Sequence, residues 1–132
     1  MTVAMSQPAV RPSINRSLEL ALAAAREAED NRGQNVLILD MREQTSAFDY
    51  FVIATGQNPR QVSAIYDEVR ERMKKDERTI PHTADGQREA NWIVADYIDV
   101  VLHVFTPDAR AFYRLEELWG DVPSVEVEAA AV

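Results

Sequence analysis

The chain has 132 residues, of which 46% are hydrophobic, so it can form one domain with a sizeable core. It has no cysteine, which excludes disulfides and thiolate-based zinc sites and fits a reducing compartment, for which we expect the cytoplasm. A formal net charge of −8 opposes binding to DNA or RNA phosphates, and no apolar run approaches the ~20 residues of a membrane span. A basic protein is the more natural partner, unless the charge serves only solubility.

We expect three regions along the chain. Residues 1–12 lack both a signal peptide's apolar core and a transit peptide's amphipathic pattern, and we interpret them as a flexible segment. Residues 13–121 carry the periodic patterns of a single domain. Residues 122–132 are expected to form a flexible tail.

The first half of the domain predicts helix–strand–strand–helix. Apolar residues repeat at helical spacing over Ser13–Asp30. Two apolar, β-branched or aromatic runs, Asn35–Met41 and Phe48–Thr55, predict strands. The next helix has a capping residue, Asn58, followed by Pro59 at the first helical position.

The second half predicts a hairpin and a last helix. A polar loop at Thr79–Gln87 precedes two strands, Asn91–Tyr97 and Asp99–Phe105, with a tight connection between them. Thr106 caps a helix that Gly120 closes, and its expected inner face comprises Phe112, Leu115 and Leu118 or Trp119. The order α-β-β-α-β-β-α indicates one α/β domain with a mixed sheet and helices packed on it.

Polar residues in the hairpin raise the question of catalysis. Asp96, Asp99 and His103 could act as acid, base or metal ligands. However, Asp99 and His103 are four residues apart on one face of a strand, roughly 13 Å, which one metal ion cannot bridge without a bend. The other histidine, His82, lies in a loop. We therefore expect no metal site and no cofactor.

A nucleotide site is the second chemical alternative. Ala54–Gln61 places Gly56 where a strand gives way to a helix, and the backbone N–H groups of a helix start can hold phosphate. The glycine spacing matches neither the dinucleotide nor the P-loop pattern. A single glycine at such a turn is ordinary architecture.

A protein-docking surface places fewer chemical requirements on these residues than a catalytic site does. Trp92 and Tyr97 offer large, rigid contact area with a polar edge. Asp96 and Asp99 suit lysine or arginine on a partner, and His103 can donate one hydrogen bond and accept another. The structural alternative is that Trp92 fills the core and the two aspartates bind N–H groups of the turn.

Two long stretches carry a resemblance to a known family. FDYFVIATGQNPRQVSAI and NWIVADYIDVVLHVFTPDARAFYRLEELWGD resemble the ribosomal silencing factor, or Iojap-related, family over nearly all of Ser13–Asp121. The matching motifs are Asp49-Tyr50-Phe51-Val52-Ile53 with Gly56, then Trp92, Asp96-Tyr97, Asp99, His103-Val104-Phe105 and Leu115-Glu116-Glu117-Leu118-Trp119. The chain departs from the family at Ile98, a turn position often held by glycine, and at Gln57 after the second strand.

The resemblance implies a nucleotidyltransferase-like fold without enzyme activity. It implies binding to large-subunit ribosomal protein fourteen, a basic protein, and a block on subunit joining that lowers translation when nutrients are scarce. It also implies a homodimer when free, with at most incidental rRNA contact. The residues it assigns to the ribosomal-protein surface are Trp92, Asp96, Tyr97, Asp99 and His103, with Arg110 and Tyr113 of the last helix as further candidates.

The rival hypothesis is a nucleotidyltransferase-like enzyme acting on a nucleotide or RNA substrate. Such an enzyme needs two or three carboxylates that converge on Mg²⁺ near Gly56. Asp49, on the preceding strand, is the nearest acidic residue in the sequence.

Overall fold

The computed structural model describes residues 11–127, with side chains from Arg16 onward. The order of the helices and strands confirms a single mixed α/β domain. The elements are α1 (Arg11–Asp30), β1 (Gln34–Asp40), β2 (Tyr50–Thr55), α2 (Pro59–Asp76), β3 (Thr83–Asp85), β4 (Trp92–Asp96), β5 (Val100–Phe105), α3 (Pro107–Tyr113), α4 (Leu115–Leu118) and β6 (Ser124–Val125).

The six strands form one sheet in the order β3-β4-β5-β2-β1-β6. The central pair, β2 and β5, is parallel, with Phe51 beside Val101 and Ile53 beside His103. All other neighbours are antiparallel, including the β4–β5 hairpin, in which Trp92 lies opposite Phe105. The parallel pair requires a long crossover, and α2 together with β3 and β4 supplies it.

Side-chain alternation divides the sheet into two faces. The face against α1 and α2 is the main core, because α2 repeats its buried residues at spacings of three and four and α1 contributes mostly alanine. Small alanine side chains let α1 approach the sheet closely. The strand residues of this core are Ile38, Tyr50, Val52, Ala54, Ile93, Ala95, Tyr97, Val100, Leu102 and Val104.

The second face carries a smaller cluster under α3, α4 and the chain that follows. Leu39, Phe51, Ile53 and Phe105 are its buried strand residues. Partly buried side chains surround them, so the helices cover this face incompletely. This is the face that β4 and β5 present beside α3.

Both predicted helix starts are confirmed. The Asn58 side chain accepts a hydrogen bond from the Gln61 N–H at 2.9 Å, and Pro59 opens α2. The Thr106 hydroxyl accepts from the Ala109 N–H, and Pro107 opens α3. Each side chain pairs a backbone donor that would otherwise lack a helical acceptor.

The last helix differs from the prediction. It breaks at Arg114, whose φ of 50° is left-handed, and restarts as the four-residue α4. The break turns Leu115 and Trp119 toward the second face, as expected, but leaves Phe112 and Leu118 79% and 71% exposed. The expectation is therefore wrong for Phe112, and of the alternatives Leu118 and Trp119 it is Trp119 that lies on the inner face.

The remaining differences concern short segments. Thr83–Asp85, predicted as loop, forms β3 against β4. Within the expected tail, Ser124 and Val125 pair with Leu39 and Ile38 of β1. Helix α1 begins at Arg11, inside the segment expected to be flexible; residues 1–10 and 128–132 lie outside the described range.

A glycine-to-alanine change at Gly56 tests how closely β2 and α2 meet. A Cβ there would lie 2.8 Å from the Val62 backbone nitrogen, too close for a fixed group. We expect Gly56→Ala to lower the free energy of unfolding by about 2 kcal/mol in urea denaturation, because the backbone must shift. Gly120→Ala is the matched control, since a Cβ there would lie 3.7 Å from the Glu117 carbonyl oxygen, an ordinary contact distance. Equal stability of the two variants would contradict the close contact.

Candidate docking site on the hairpin

Six ring-bearing residues form a continuous cluster on the second face of the sheet. Trp92 is at its centre, with its ring centroid 4.9 Å from that of Phe105 and 4.6 Å from that of Tyr113. His103 meets the edge of Phe51 at 4.7 Å. We call this set the ring cluster; its members are Phe48, Phe51, Trp92, His103, Phe105 and Tyr113.

A hydrogen bond fixes the indole of Trp92. Its Nε1–H donates to Nδ1 of His103 at 3.1 Å. An accepting Nδ1 requires the neutral tautomer that carries its hydrogen on Nε2. His103 is buried, and burial lowers its pKa to about 4, so the ring stays neutral at ordinary pH. The buried Nε2 has no partner among the described residues.

The two aspartates lie near the hairpin tip and have different roles. The Asp96 carboxylate accepts the Ile98 N–H at 2.7 Å, the structural role that the sequence left open. The Asp99 carbonyl accepts the N–H groups of Asp49 and Tyr50, which ties the tip to the start of β2. Burial first, and then the nearby Asp49, raises the pKa of the Asp99 carboxyl.

Tyr97 does not belong to the surface that the resemblance implies. Its side chain is 4% exposed and packs in the main core, on the face opposite Trp92 and Asp96. Burial, and then Tyr66, raises the pKa of its hydroxyl. Strand alternation is the reason, since Ile93, Ala95 and Tyr97 point to one face and their neighbours to the other. Tyr97 is therefore a core residue in the free protein.

Arg110 is engaged inside the protein. Its guanidinium donates to the Asn35 carbonyl at 2.8 Å and to the Thr55 hydroxyl at 2.7 Å. It also pairs with Glu116 at 2.9 Å, and only 12% of the side chain is exposed. Arg110 thus attaches α3 and α4 to the sheet. Tyr113, half exposed, covers Trp92 instead.

The candidate residues thus separate into three groups. Tyr113 is exposed beside the second face, whereas Trp92, Asp96 and, at the tip, Asp99 are partly accessible. His103 supports Trp92 from below, while Tyr97 and Arg110 are held in the interior. Sequence reasoning missed Phe48 and Phe51. Strand alternation was a signal for Phe51, which lies on the face opposite Tyr50, whereas Phe48 precedes β2 and has no such signal.

The carboxyl ends of β2 and β5 were the place to expect a nucleotide site. A cavity of about 640 Å³ lies there between the starts of α2 and α3, with Asp108 as its one acidic lining residue. Asp49 precedes the other end of β2, roughly 20 Å from Gly56 along the strand. Within residues 11–127, no three histidine or carboxylate groups converge as a metal site. The site therefore lacks the carboxylates that the enzyme hypothesis requires.

Known proteins resemble this chain throughout its described length. A family model described as ribosomal silencing factor during starvation matches residues 14–132. Ribosomal silencing factor RsfS of Bacillus subtilis is 39% identical over 116 residues, covering 87% of this chain and 96% of that protein. Protein Iojap, chloroplastic, of Zea mays is 31% identical over 111 residues, covering 83% of this chain and 47% of that protein.

The fold is shared with a solved structure as well. The crystal structure of protein CV0518 from Chromobacterium violaceum superposes with a TM-score of 0.75 at 33% identity, covering 78% of this chain and 85% of that one. The chain belongs to the ribosomal silencing factor family. The relatives carry the names of silencing factors rather than enzymes, and those names associate the family with regulation of translation at the ribosome. No helix among residues 11–127 has the length and apolar character needed to cross a membrane.

The low pKa of His103 predicts a pH dependence of stability. The unfolded chain protonates His103 near 6.5, whereas the folded protein does so only near 4. The contribution of the neutral, buried His103 to the free energy of unfolding is fully present above pH 6.5. Between the two pKa values it is lost as the pH falls, by about 1.4 kcal/mol per pH unit. The His103→Phe variant has no group at this position that can bind a proton. Its free energy of unfolding, measured by urea denaturation, should therefore fall less steeply from pH 6.5 to 4.5. Identical slopes for both proteins would contradict a neutral, buried His103.

Proposed function

We propose that this protein binds the large ribosomal subunit through its protein fourteen and sterically blocks joining of the small subunit. It thereby represses translation when nutrients are limiting. The contact surface is the exposed part of the ring cluster together with the hairpin tip. Membership of the silencing factor family supports this proposal, and the geometry of Trp92 supports the location.

The observation that carries the proposal is an ordered, partly exposed tryptophan. Trp92 is stacked on Phe105, covered by Tyr113 and hydrogen-bonded to His103, so its indole is held in one orientation before a partner arrives. Preorganised aromatic groups lose little conformational entropy on binding and are frequent energetic centres of interfaces.

Charge favours a basic protein over bare RNA as the target. The chain has 22 acidic and 14 basic residues. Asp49, Asp96 and Asp99 lie at the tip end of the hairpin, and neither Asp49 nor Asp99 has a salt bridge among residues 16–127. Unpaired carboxylates attract lysine and arginine and are repelled by phosphate. Repulsion from the surrounding rRNA therefore restricts where the protein can bind.

The proposed mechanism requires no chemical step. A rigid domain that occupies the subunit boundary excludes the second subunit for as long as it stays bound, so residence time sets the inhibition. The free protein is a homodimer in this proposal, and it acts in the cytoplasm, where the subunits meet.

Replacing Trp92 tests the proposed contact. We expect Trp92→Ala to weaken binding to isolated large subunits about 30-fold, because it removes the preorganised anchor. Co-sedimentation with large subunits gives the affinity, and sucrose-gradient sedimentation of mixed subunits gives the inhibition of joining. No nucleotide is added.

Trp119→Ala is the matched control. Trp119 is also partly buried against the second face but lies outside the ring cluster, so the two variants lose the same type of side chain and only Trp92→Ala loses it from the proposed contact surface. Circular dichroism verifies that both variants are folded. Trp119→Ala should bind like the wild type. Equal binding by both variants, or undiminished subunit joining at saturating wild-type protein, would refute the proposal.

A further inference from the structure

The turn of the β4–β5 hairpin has an unusual backbone. The Tyr97 N–H donates to the Val100 carbonyl at 2.8 Å, which leaves Ile98 and Asp99 as the two loop residues. The Asp99 N–H also donates to the Tyr97 carbonyl at 3.0 Å, closing a three-residue γ-turn centred on Ile98. At that centre Ile98 has a φ of 76°.

This conformation is unfavourable for isoleucine. A γ-turn with positive φ at its centre is rare and strained, and a β-branched side chain at positive φ is an outlier. Glycine adopts the same backbone without steric penalty. Hydrogen bonds hold the turn in place, since Asp96 accepts the Ile98 N–H and the Asp99 carbonyl accepts those of Asp49 and Tyr50. The strain is therefore imposed by the surrounding structure.

The folded domain gains little packing in exchange for this strain. Ile98 is 55% exposed and belongs to neither hydrophobic cluster of the described residues. Strained residues that persist without an internal benefit occur preferentially at functional sites. The benefit of this side chain must then lie outside the protein.

We propose that Ile98 is a contact residue that inserts its aliphatic side chain into an apolar spot on the basic ribosomal protein. This inference rests on the proposed function and extends its contact surface to the tip, roughly 20 Å from Trp92 along the hairpin. The two positions together span a length suited to an interface of ordinary size.

Charge around the tip selects a basic partner. Asp96 and Asp99 flank Ile98 in sequence, and Asp49 lies near Asp99. An aliphatic side chain among carboxylates complements an apolar spot rimmed by lysine or arginine. A nucleic acid or an anionic membrane would meet the same carboxylates with repulsion.

The test is a substitution that separates stability from binding. Ile98→Gly removes the side chain and relieves the strained backbone, so the melting temperature should rise by about 3 °C. Binding to isolated large subunits should nevertheless weaken about 10-fold. Ile98→Asn, which tolerates positive φ but is polar, should also bind about 10-fold more weakly.

Ile80→Gly is the matched control. Ile80 is 63% exposed in the connection between α2 and β3, and its φ is not left-handed. This variant should melt slightly lower than the wild type and bind equally well. The inference is overturned if Ile98→Gly binds like the wild type. It is also overturned if this variant loses binding and melts at a lower temperature than the wild type. If wild-type protein and Trp92→Ala behave as proposed above, such a result rejects the contact at Ile98 alone; if the wild type does not bind large subunits, the proposed function itself fails.

Discussion

The parallel pairing of β2 with β5 is the constraint on which the rest of the structure depends. It places β5 between two different neighbours, β2 on one side and the antiparallel β4 on the other. Rings from all three strands therefore meet on one face. A shift of one residue in this register would send His103 to the face opposite Phe51. The β4–β5 pairing aligns Trp92 with His103 and Phe105, and β2 adds Phe51 to the same face.

The same arrangement separates the main core from the proposed contact surface. One face is filled by α1 and α2 and forms the main core, whereas the other is covered only in part by α3 and α4. Arg110 attaches these short helices to the sheet through Thr55 and Asn35, which keeps Tyr113 over Trp92. Within residues 11–127, the buried His103 Nε2 lacks a hydrogen-bond partner and Ile98 is a β-branched residue at positive φ, and both lie on this hairpin.

Much of this organisation was predictable from local sequence signals. Strand runs, the caps Asn58 and Thr106 and the hairpin were confirmed, because each depends on residues close in the chain. Strand alternation would also have separated Tyr97 from Trp92 and Asp96, but the family motif grouped all three. Three features were not predictable, because they depend on partners distant in sequence. These are the break at Arg114, the pairing of Ser124 and Val125 with β1, and the internal role of Arg110.

A cryo-electron microscopy structure of the protein on the large subunit would test most directly whether the hairpin is the contact surface. The exposed part of the ring cluster, with Trp92 near one end of the hairpin and Ile98 at the other, should lie against protein fourteen. Side chains should be arranged as in the free protein, with the Trp92–His103 hydrogen bond retained. A complex in which α1 and α2 make the contact, and the hairpin faces solvent, would contradict it.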